Sequence, residues 1–383
     1  MTEKLYYIDS HIREFDAMVI SCEPDGDHFH VELDRTAFFP EGGGQCADTG
    51  TLSSVAVSDV QEVCGRIVHY CASPLTVGES VHGSLNWGKR FQNMQSHSGE
   101  HIVSGLVHNR FGFENVGFHL GADGMIVDFS GYVTPDELRE IELAANKIIW
   151  QNRKITAFFP APDELIRYNY RSKLELTENV RLVEIDGVDL CACCAPHVKE
   201  TGEIGMIRIF ESQRRKDGVR IRMLAGKNAL EDYLVKEREA LRISNLLSAK
   251  VGDISSAAER ILTERDALSY KLRGYELREL DGIISEASTE RERFVRFFDS
   301  LPQEDMLRII KGVAPFCKSV AAVFSGSDEG GYKFIIASEH IALREKLNSI
   351  RPLFTIKGSG SDKMVQGSIF GSRKDIENAV GGW

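Results

Sequence analysis

Two short motifs far apart in the chain restrict its fold more than any other feature. His97-Ser98-Gly99-Glu100-His101 sets two imidazoles four residues apart, which on a helix places one above the other on a single face, the spacing that lets both bind one ion. Cys193-Cys194-Ala195-Pro196-His197 repeats that spacing with a thiolate and an imidazole. His, His, Cys and His are borderline-soft donors of the kind a tetrahedral zinc ion takes, so a fold that serves one ion with all four must carry the second motif back onto the helix of the first. Such a site is either a closed structural staple or an open centre that does chemistry, and the motifs alone leave both readings standing. A zinc-protease reading fails at its general base. That helix has glutamate directly after its first histidine, whereas Ser98 holds that place here and the carboxylate is Glu100. Cys191 and Cys194 are spare thiols beside the second motif.

Composition frames these motifs. At about 150 residues per domain, 383 residues imply two or three packed units. Hydrophobic residues at 42% and charged residues at 27% exclude a collagenous or disordered chain. The net charge of −11 repels phosphate overall, so a nucleic-acid partner must be met by a local basic patch. The crowding of Cys191, Cys193 and Cys194 suits a metal or reactive-thiol site in a reducing compartment better than a secreted disulfide framework, and makes the cytoplasm the expected location. The first residues carry charges throughout, and no apolar run reaches the ~18 residues of a membrane span; neither a signal peptide, an anchor nor a membrane partner is expected.

Periodicity divides the chain. Residues 1–89 read as β: alternating runs, broken at Pro24-Asp25-Gly26-Asp27, recur at the spacing of a small barrel or sandwich. Within them Pro40-Glu41-Gly42-Gly43-Gly44-Gln45 is a loop where backbone must turn tightly or approach something closely. From about Arg90, Met94, Ile102 and Leu106 predict a helix carrying the histidine motif. A hairpin is expected to turn at Gly121-Ala122-Asp123-Gly124, and Thr134, Pro135 and Glu137 form a capping box that opens a helix to about Gln151. A strand in LVEIDGVDL precedes the cysteines, and a hairpin with Asp217-Gly218 in its turn follows them. The stretch from 227 is charged and helical, split at Gly252-Asp253, with Ser256 and Glu259 as a second capping box and an incomplete heptad pattern from Leu230 to Leu272. The last hundred residues read as a small α/β domain ending in a glycine-rich loop.

HSGEH and CCAPHVKETGEIG, together with LDRTAFFPEGGGQCADTG, NWGKRFQNMQSHSGEH and GFHLGADGMIVDFSG in the same order, resemble the editing domain of alanyl-tRNA synthetases and the free-standing AlaX editing proteins, over residues 1 to 225. More loosely, the remainder resembles the C-terminal region of the synthetase and of long AlaX proteins, a DHHA1-type domain. What the resemblance implies is an α+β protein in four parts: a small β-barrel domain at 1–89, a zinc-binding editing domain at 90–226, a helical hairpin at 227–288, and a DHHA1-like α/β domain at 289–383; the heptad-bearing helices of the third part are themselves expected to support a homodimer. It also implies an aminoacyl-tRNA deacylase that hydrolyses serine or glycine wrongly attached to tRNA(Ala). With no segment before the editing part to form an aminoacylation domain, the chain is expected to act in trans. By family motif His97, His101, Cys193 and His197 hold zinc, Thr36 stands where a threonine recognises the serine hydroxyl, and Gln45 closes the motif begun by Gly42, Gly43 and Gly44. Glu100, Glu41 and His119 are candidates to orient a water or support the site. Two departures from the family pattern are Cys46, where proline is usual, and a final loop with fewer glycines.

RNA contact needs local positive charge. Arg214, Arg215, Lys216, Arg220 and Arg222 form the densest basic run, and Lys357 and Lys363 flank Gly358 and Gly360 near the end. The competing reading is a non-catalytic RNA-binding or scaffold protein whose zinc is structural and whose helices self-associate.

Overall fold

The alternating runs of the first ninety residues close on themselves in the computed structural model, which describes residues 2–121, 124–172 and 179–383. Six antiparallel strands, β1 (Glu14–Asp25), β2 (His28–Leu33), β3 (Gly50–Leu52), β4 (Val55–Val63), β5 (Arg66–Cys71) and β6 (Ser80–Leu85), are hydrogen-bonded in the order β1-β2-β5-β4-β3-β6. Successive side chains alternate across a strand, so Val19, Val31, Leu33, Leu52, Val60 and Ile67 fill the interior. The expected break at Pro24–Asp27 is shorter than its sequence suggests. Pro24 and Asp25 still pair with Phe29 and His28, and only Gly26, at φ 58°, and Asp27 make the turn.

The next helix, α1 (Trp87–Phe111), starts earlier than its apolar spacing indicates because Asn86 accepts a hydrogen bond from the Lys89 amide and caps it. It ends where Gly112 adopts the left-handed conformation, φ 70°. Then follow β7 (Asn115–Gly121), β8 (Gly124–Phe129), α2 (Pro135–Trp150), β9 (Ile155–Phe158), β10 (Leu182–Ile185) and β11 (Asp189–Ala192). The Thr134–Glu137 capping box forms as expected, with Thr134 and Glu137 exchanging side-chain-to-backbone bonds. Of the hairpin turn between β7 and β8, Ala122 and Asp123 lie outside the described residues, while Gly121 and Gly124 pair. Strands β12 (Ile207–Arg215) and β13 (Gly218–Ala225) turn through Lys216-Asp217 and complete a sheet of order β12-β13-β8-β7, beside a smaller one of order β9-β10-β11. One core of Met94, Ile102, Val127, Ile141, Ile185 and Ile221 joins α1, α2 and both sheets. α3 (Gly226–Leu247) leads on from β13. Residues Met1–Arg242 form one compact unit and Ile243–Trp383 another.

A buried ion pair ties the barrel to α1. Arg90 and Asp48 are fully enclosed, with Arg90 Nε 2.9 and 3.0 Å from the two carboxylate oxygens. The same guanidinium donates to the carbonyls of Ser10 (3.0 Å) and Ala37 (2.5 Å), while Asp48 also accepts from the Phe39 amide at 2.6 Å. Every group in this network has a partner, the condition under which buried charge is tolerated.

In the second unit α4 (Ile254–Ala287) begins one residue after a 3₁₀ turn, Val251–Asp253. The chain splits near Gly252-Asp253 as its sequence indicates, but the expected Ser256–Glu259 capping box is not made. Asp253 is the N-cap, without a side-chain bond, and Ser256 is already inside the first helical turn, where it cannot take the extended backbone a capping serine needs. Beyond it lie β14 (Phe294–Phe298), α5 (Gln303–Val313), β15 (Ala321–Ser327), β16 (Gly331–Ala337), α6 (Leu343–Ile350), β17 (Thr355–Gly360), β18 (Met364–Phe370) and α7 (Arg373–Gly381), with sheet order β14-β15-β16-β18-β17. The expected glycine-rich loop is instead a hairpin: Gly358 and Gly367 are paired inside β17 and β18. A Cβ on Gly358 would sit 2.7 Å from Gly367 Cα, so these glycines serve close strand approach. Among the described residues no helix is long and apolar enough to cross a membrane.

Candidate metal centre

The structure brings the two motifs together. One ligand atom each from His97, His101, Cys193 and His197 lies within 4.8 Å of the others. Cys193 Sγ is 3.5 Å from His97 Nε2 and 3.4 Å from His197 Nε2. Bonds of about 2.3 Å to sulfur and about 2.0 Å to nitrogen at a tetrahedral angle would separate the two donors by about 3.6 Å, so these spacings fit a zinc ion.

The other ring nitrogens identify which atoms are left for the ion. His97 Nδ1 is 3.1 Å from Gln45 Oε1, His101 Nδ1 is 3.0 Å from Asp189 Oδ2, and His197 Nδ1 is 3.0 Å from Ser98 Oγ. With an N–H donated to each oxygen, every imidazole presents Nε2 as its acceptor, which is how metal-binding histidines are held in one tautomer and one orientation. Asp189 is itself clamped by Arg171, Nε to Oδ1 at 2.7 Å and Nη2 to Oδ2 at 2.8 Å. Burial would raise the Asp189 carboxyl, but the bonds from His101 and Arg171 outweigh it and hold it at about 2. Burial likewise pushes the Cys193 thiol up, and the surrounding imidazoles reverse this and hold it well below the ordinary range, so the thiolate is the favoured form.

Three of these side chains, His97, His101 and Cys193, line a cavity of about 520 Å³, while His197 lies behind them. Gly43 and Gly44 form one wall, at φ 60° and 81°. A Cβ on Gly44 would meet Phe118 Cδ1 at 2.7 Å, so glycine alone lets this loop come so close to Phe118. Phe118 in turn packs on the His97 ring, centroids 4.9 Å apart. Glu100 also lines the cavity; its Oε1 accepts from Asn115 Nδ2 at 2.5 Å and from the Ser104 hydroxyl, and its Oε2 is 4.0 Å from His101 Nε2.

Other expected residues lie elsewhere. Gln45 is buried and touches His97, but Thr36 is enclosed in the barrel: its hydroxyl is 2.8 Å from His69 Nε2 and accepts from the Phe38 amide, and it does not line the cavity. Glu41 is exposed in the loop before Gly42 and accepts from Gln61, and His119 is exposed on β7, where alternation with Phe118 turns it outward; neither lines the cavity. In the basic run Arg220 is bound bidentately by Asp128 at 2.7 Å and Arg222 is 3.4 Å from Glu211, which leaves Arg214, Arg215 and Lys216 as the exposed cations around the turn. In the second unit Lys363 pairs with Glu339 at 2.8 Å, and Lys357 borders a shallow cavity on the β16-β18-β17 face. Asp189, Ser98, Arg171 and Asn115 were not singled out by sequence. Ser98 and Asp189 carried only faint signals, one inside the helix motif and the other closing the strand before the cysteines.

Comparison with known proteins agrees with this layout. Residues 180–222 match the family described as the threonyl and alanyl tRNA synthetase second additional domain, and residues 10–89 match class II (A) tRNA synthetases. The first match contains Cys193 and His197, and the second covers the barrel. The alanine–tRNA ligase of Pyrococcus abyssi is 32% identical over 98% of this chain, and that of Ignicoccus hospitalis 33% identical over 77%. The chain spans 41% and 32% of their respective lengths. The alanyl-tRNA editing protein AlaX-L of Pyrococcus horikoshii is 32% identical over 63% of this chain and 61% of its own length. In sequence the chain is thus similar to part of the alanyl-tRNA synthetases and to an AlaX-type editing protein.

Proposed function

We propose that the protein is a zinc-dependent deacylase that removes chiefly serine, with glycine second, from mischarged tRNA(Ala). The observation that carries this reading is the convergence of His97, His101, Cys193 and His197, three of which, His97, His101 and Cys193, line an open cavity, where a purely structural ion would need no opening. Similarity to a protein named for alanyl-tRNA editing supplies the substrate class.

Zinc held by those four side chains would supply Lewis acidity, lowering the pKa of a nearby water or polarising the substrate. Gln45, Ser98 and Asp189 fix the three imidazoles, so the donor set is assembled before the substrate arrives. Gly43 and Gly44 admit the aminoacylated ribose close to this wall. Glu100 takes the proton from the attacking water as its oxygen bonds to the ester carbonyl carbon; the bond to the ribose oxygen then breaks, and the proton passes to that leaving oxygen. Asn115 and Ser104 keep the Glu100 carboxylate oriented for this exchange. The exposed Arg214, Arg215 and Lys216 offer a local attraction for RNA phosphate in an acidic chain.

The test is deacylation of serylated, glycylated and alanylated tRNA(Ala) by the full chain. Serine loss well above the spontaneous rate, abolished by His101→Ala with circular dichroism unchanged, supports the reading. Serine loss at the spontaneous rate with zinc bound would favour the structural alternative.

A further inference from the structure

The cavity that holds the metal ligands has a second end with different chemistry. Tyr7, from the short helix Leu5–Ile8, meets Phe159 edge to face, ring centroids 5.5 Å apart, and the guanidinium of Arg181 lies over the Tyr7 ring at 5.1 Å. All three line the cavity that also contains His97, His101 and Cys193. Phe159 is 50% exposed, so a large part of its aromatic face is open to solvent. Arg181 is the reverse: only 7% exposed, fixed by donation from Nη1 to the carbonyls of Cys193 and Ala195, both at 2.9 Å. Among the described residues Arg181 makes no ion pair, and its Nε and Nη2 have no hydrogen-bond partner. The other arginine of the cavity, Arg171, is spent on Asp189.

A buried, unpaired guanidinium is costly unless something anionic or strongly polar meets it, and an exposed aromatic ring beside it is the arrangement on which nucleobases stack. We propose that Tyr7, Phe159 and Arg181 form the seat of the substrate's terminal nucleotide, with the adenine base stacked on the aromatic pair and the free guanidinium edge directed at its phosphate. Arg181 is bonded to the carbonyl of the proposed ligand Cys193, so the seat and the metal wall are parts of one rigid segment. This rests on the deacylase reading and specifies how that substrate is held. The seat recognises the common end of tRNA and leaves the choice of amino acid to the metal wall. It therefore sets KM for every charged tRNA alike.

The test uses the zinc-loaded full chain and a non-hydrolysable seryl-amide of 3′-amino-3′-deoxyadenosine 5′-monophosphate, with binding read by calorimetry. Because Phe159 is half exposed, Phe159→Ala is expected to fold normally. Loss of one stacking face, worth about 1–3 kcal/mol, predicts binding weakened by about 5- to 150-fold. Arg181→Lys keeps the charge and loses the planar fork, and is expected to weaken the phosphorylated analogue more than the analogue without its 5′-phosphate. KM for seryl-tRNA should rise with Phe159→Ala while kcat changes less than twofold. Unchanged affinity in Phe159→Ala, or seryl-tRNA hydrolysis by a protein that does not bind the analogue, overturns the seat and leaves the deacylase reading intact. Analogue binding that depends on Phe159 in a protein with no deacylase activity supports the seat and removes the enzyme.

Discussion

Asp48→Asn is the substitution whose effect the structure specifies most closely. It preserves shape while removing one charge of a pair in which Arg90 is wholly enclosed and Asp48 nearly so. The guanidinium cannot escape: its other donors are committed to the carbonyls of Ser10 and Ala37. An uncompensated buried charge of this kind costs about 3–5 kcal/mol, a large share of the 5–15 kcal/mol by which a domain is stable. With a urea m-value of about 2.5 kcal/mol/M for a unit of this size, the midpoint falls by about 1–2 M. Trp87 and Trp150 lie in the first unit and Trp383 in the second, so fluorescence after Trp383→Phe isolates the transition that matters. Adding Arg90→Met to Asp48→Asn removes both charges, and the double variant should be more stable than the single one. A midpoint shift below 0.3 M, about 0.8 kcal/mol at that slope, or a double variant whose cost equals the sum of the two, would refute the view that the pair locks the barrel to α1.

Three further outcomes follow from the same geometry. His69 is buried, donates from Nδ1 to the Val31 carbonyl and accepts from Thr36, and burial holds its pKa at about 4 against an ordinary 6.5. The unfolded chain therefore binds its proton first, so stability is full above pH 6.5 and falls by about 3 kcal/mol as pH drops towards 4; a His69→Asn variant should lose that part of the slope in urea titrations, and an unchanged slope would reject the assignment. Asp189→Asn leaves His101 without its carboxylate and should weaken zinc about 10- to 100-fold in a chelator competition, with equal affinity counting against the support role. Gly44→Ala forces a Cβ into Phe118 at φ 81°, which should cost about 1–3 kcal/mol and disturb the metal site through the Phe118–His97 contact; a variant with unaltered melting and zinc content would show the loop is not constrained.

Much of this was legible in the sequence because it depends on local rules. The Thr134 capping box, the hairpin about Asp217, whose turn is Lys216-Asp217 and one residue earlier than expected, and the alternation of the barrel strands are set by neighbouring residues, and the matched pairs declare themselves by spacing. What was hidden depends on partners distant in the chain. The helix α1 looks amphipathic, yet it buries Arg90, Gln95, His97, Ser98, Glu100 and Ser104, because each meets a residue it cannot see along the helix: Asp48, the Glu203 carbonyl, Gln45 and His197 for the first four, and Asn115 for Glu100 and Ser104. Asp189 reads as an ordinary strand-end acid until the fold sets it between His101 and Arg171. The terminal glycines misled because pairing two of them across a hairpin leaves the same composition as a loop.

The three oxygens that steady the imidazoles come from residues 45, 98 and 189, separate stretches of the first unit. During vectorial synthesis, then, the amino-terminal half emerges with only an incomplete chelate, two imidazoles on one helix. If these four side chains hold an ion, its high-affinity capture must wait until Cys193 and His197 have left the ribosome and docked, a late event coupled to closure of the whole unit. Such an ion would act as a proofreading mark on folding itself, because a chain that retained it would have joined its early and late segments correctly.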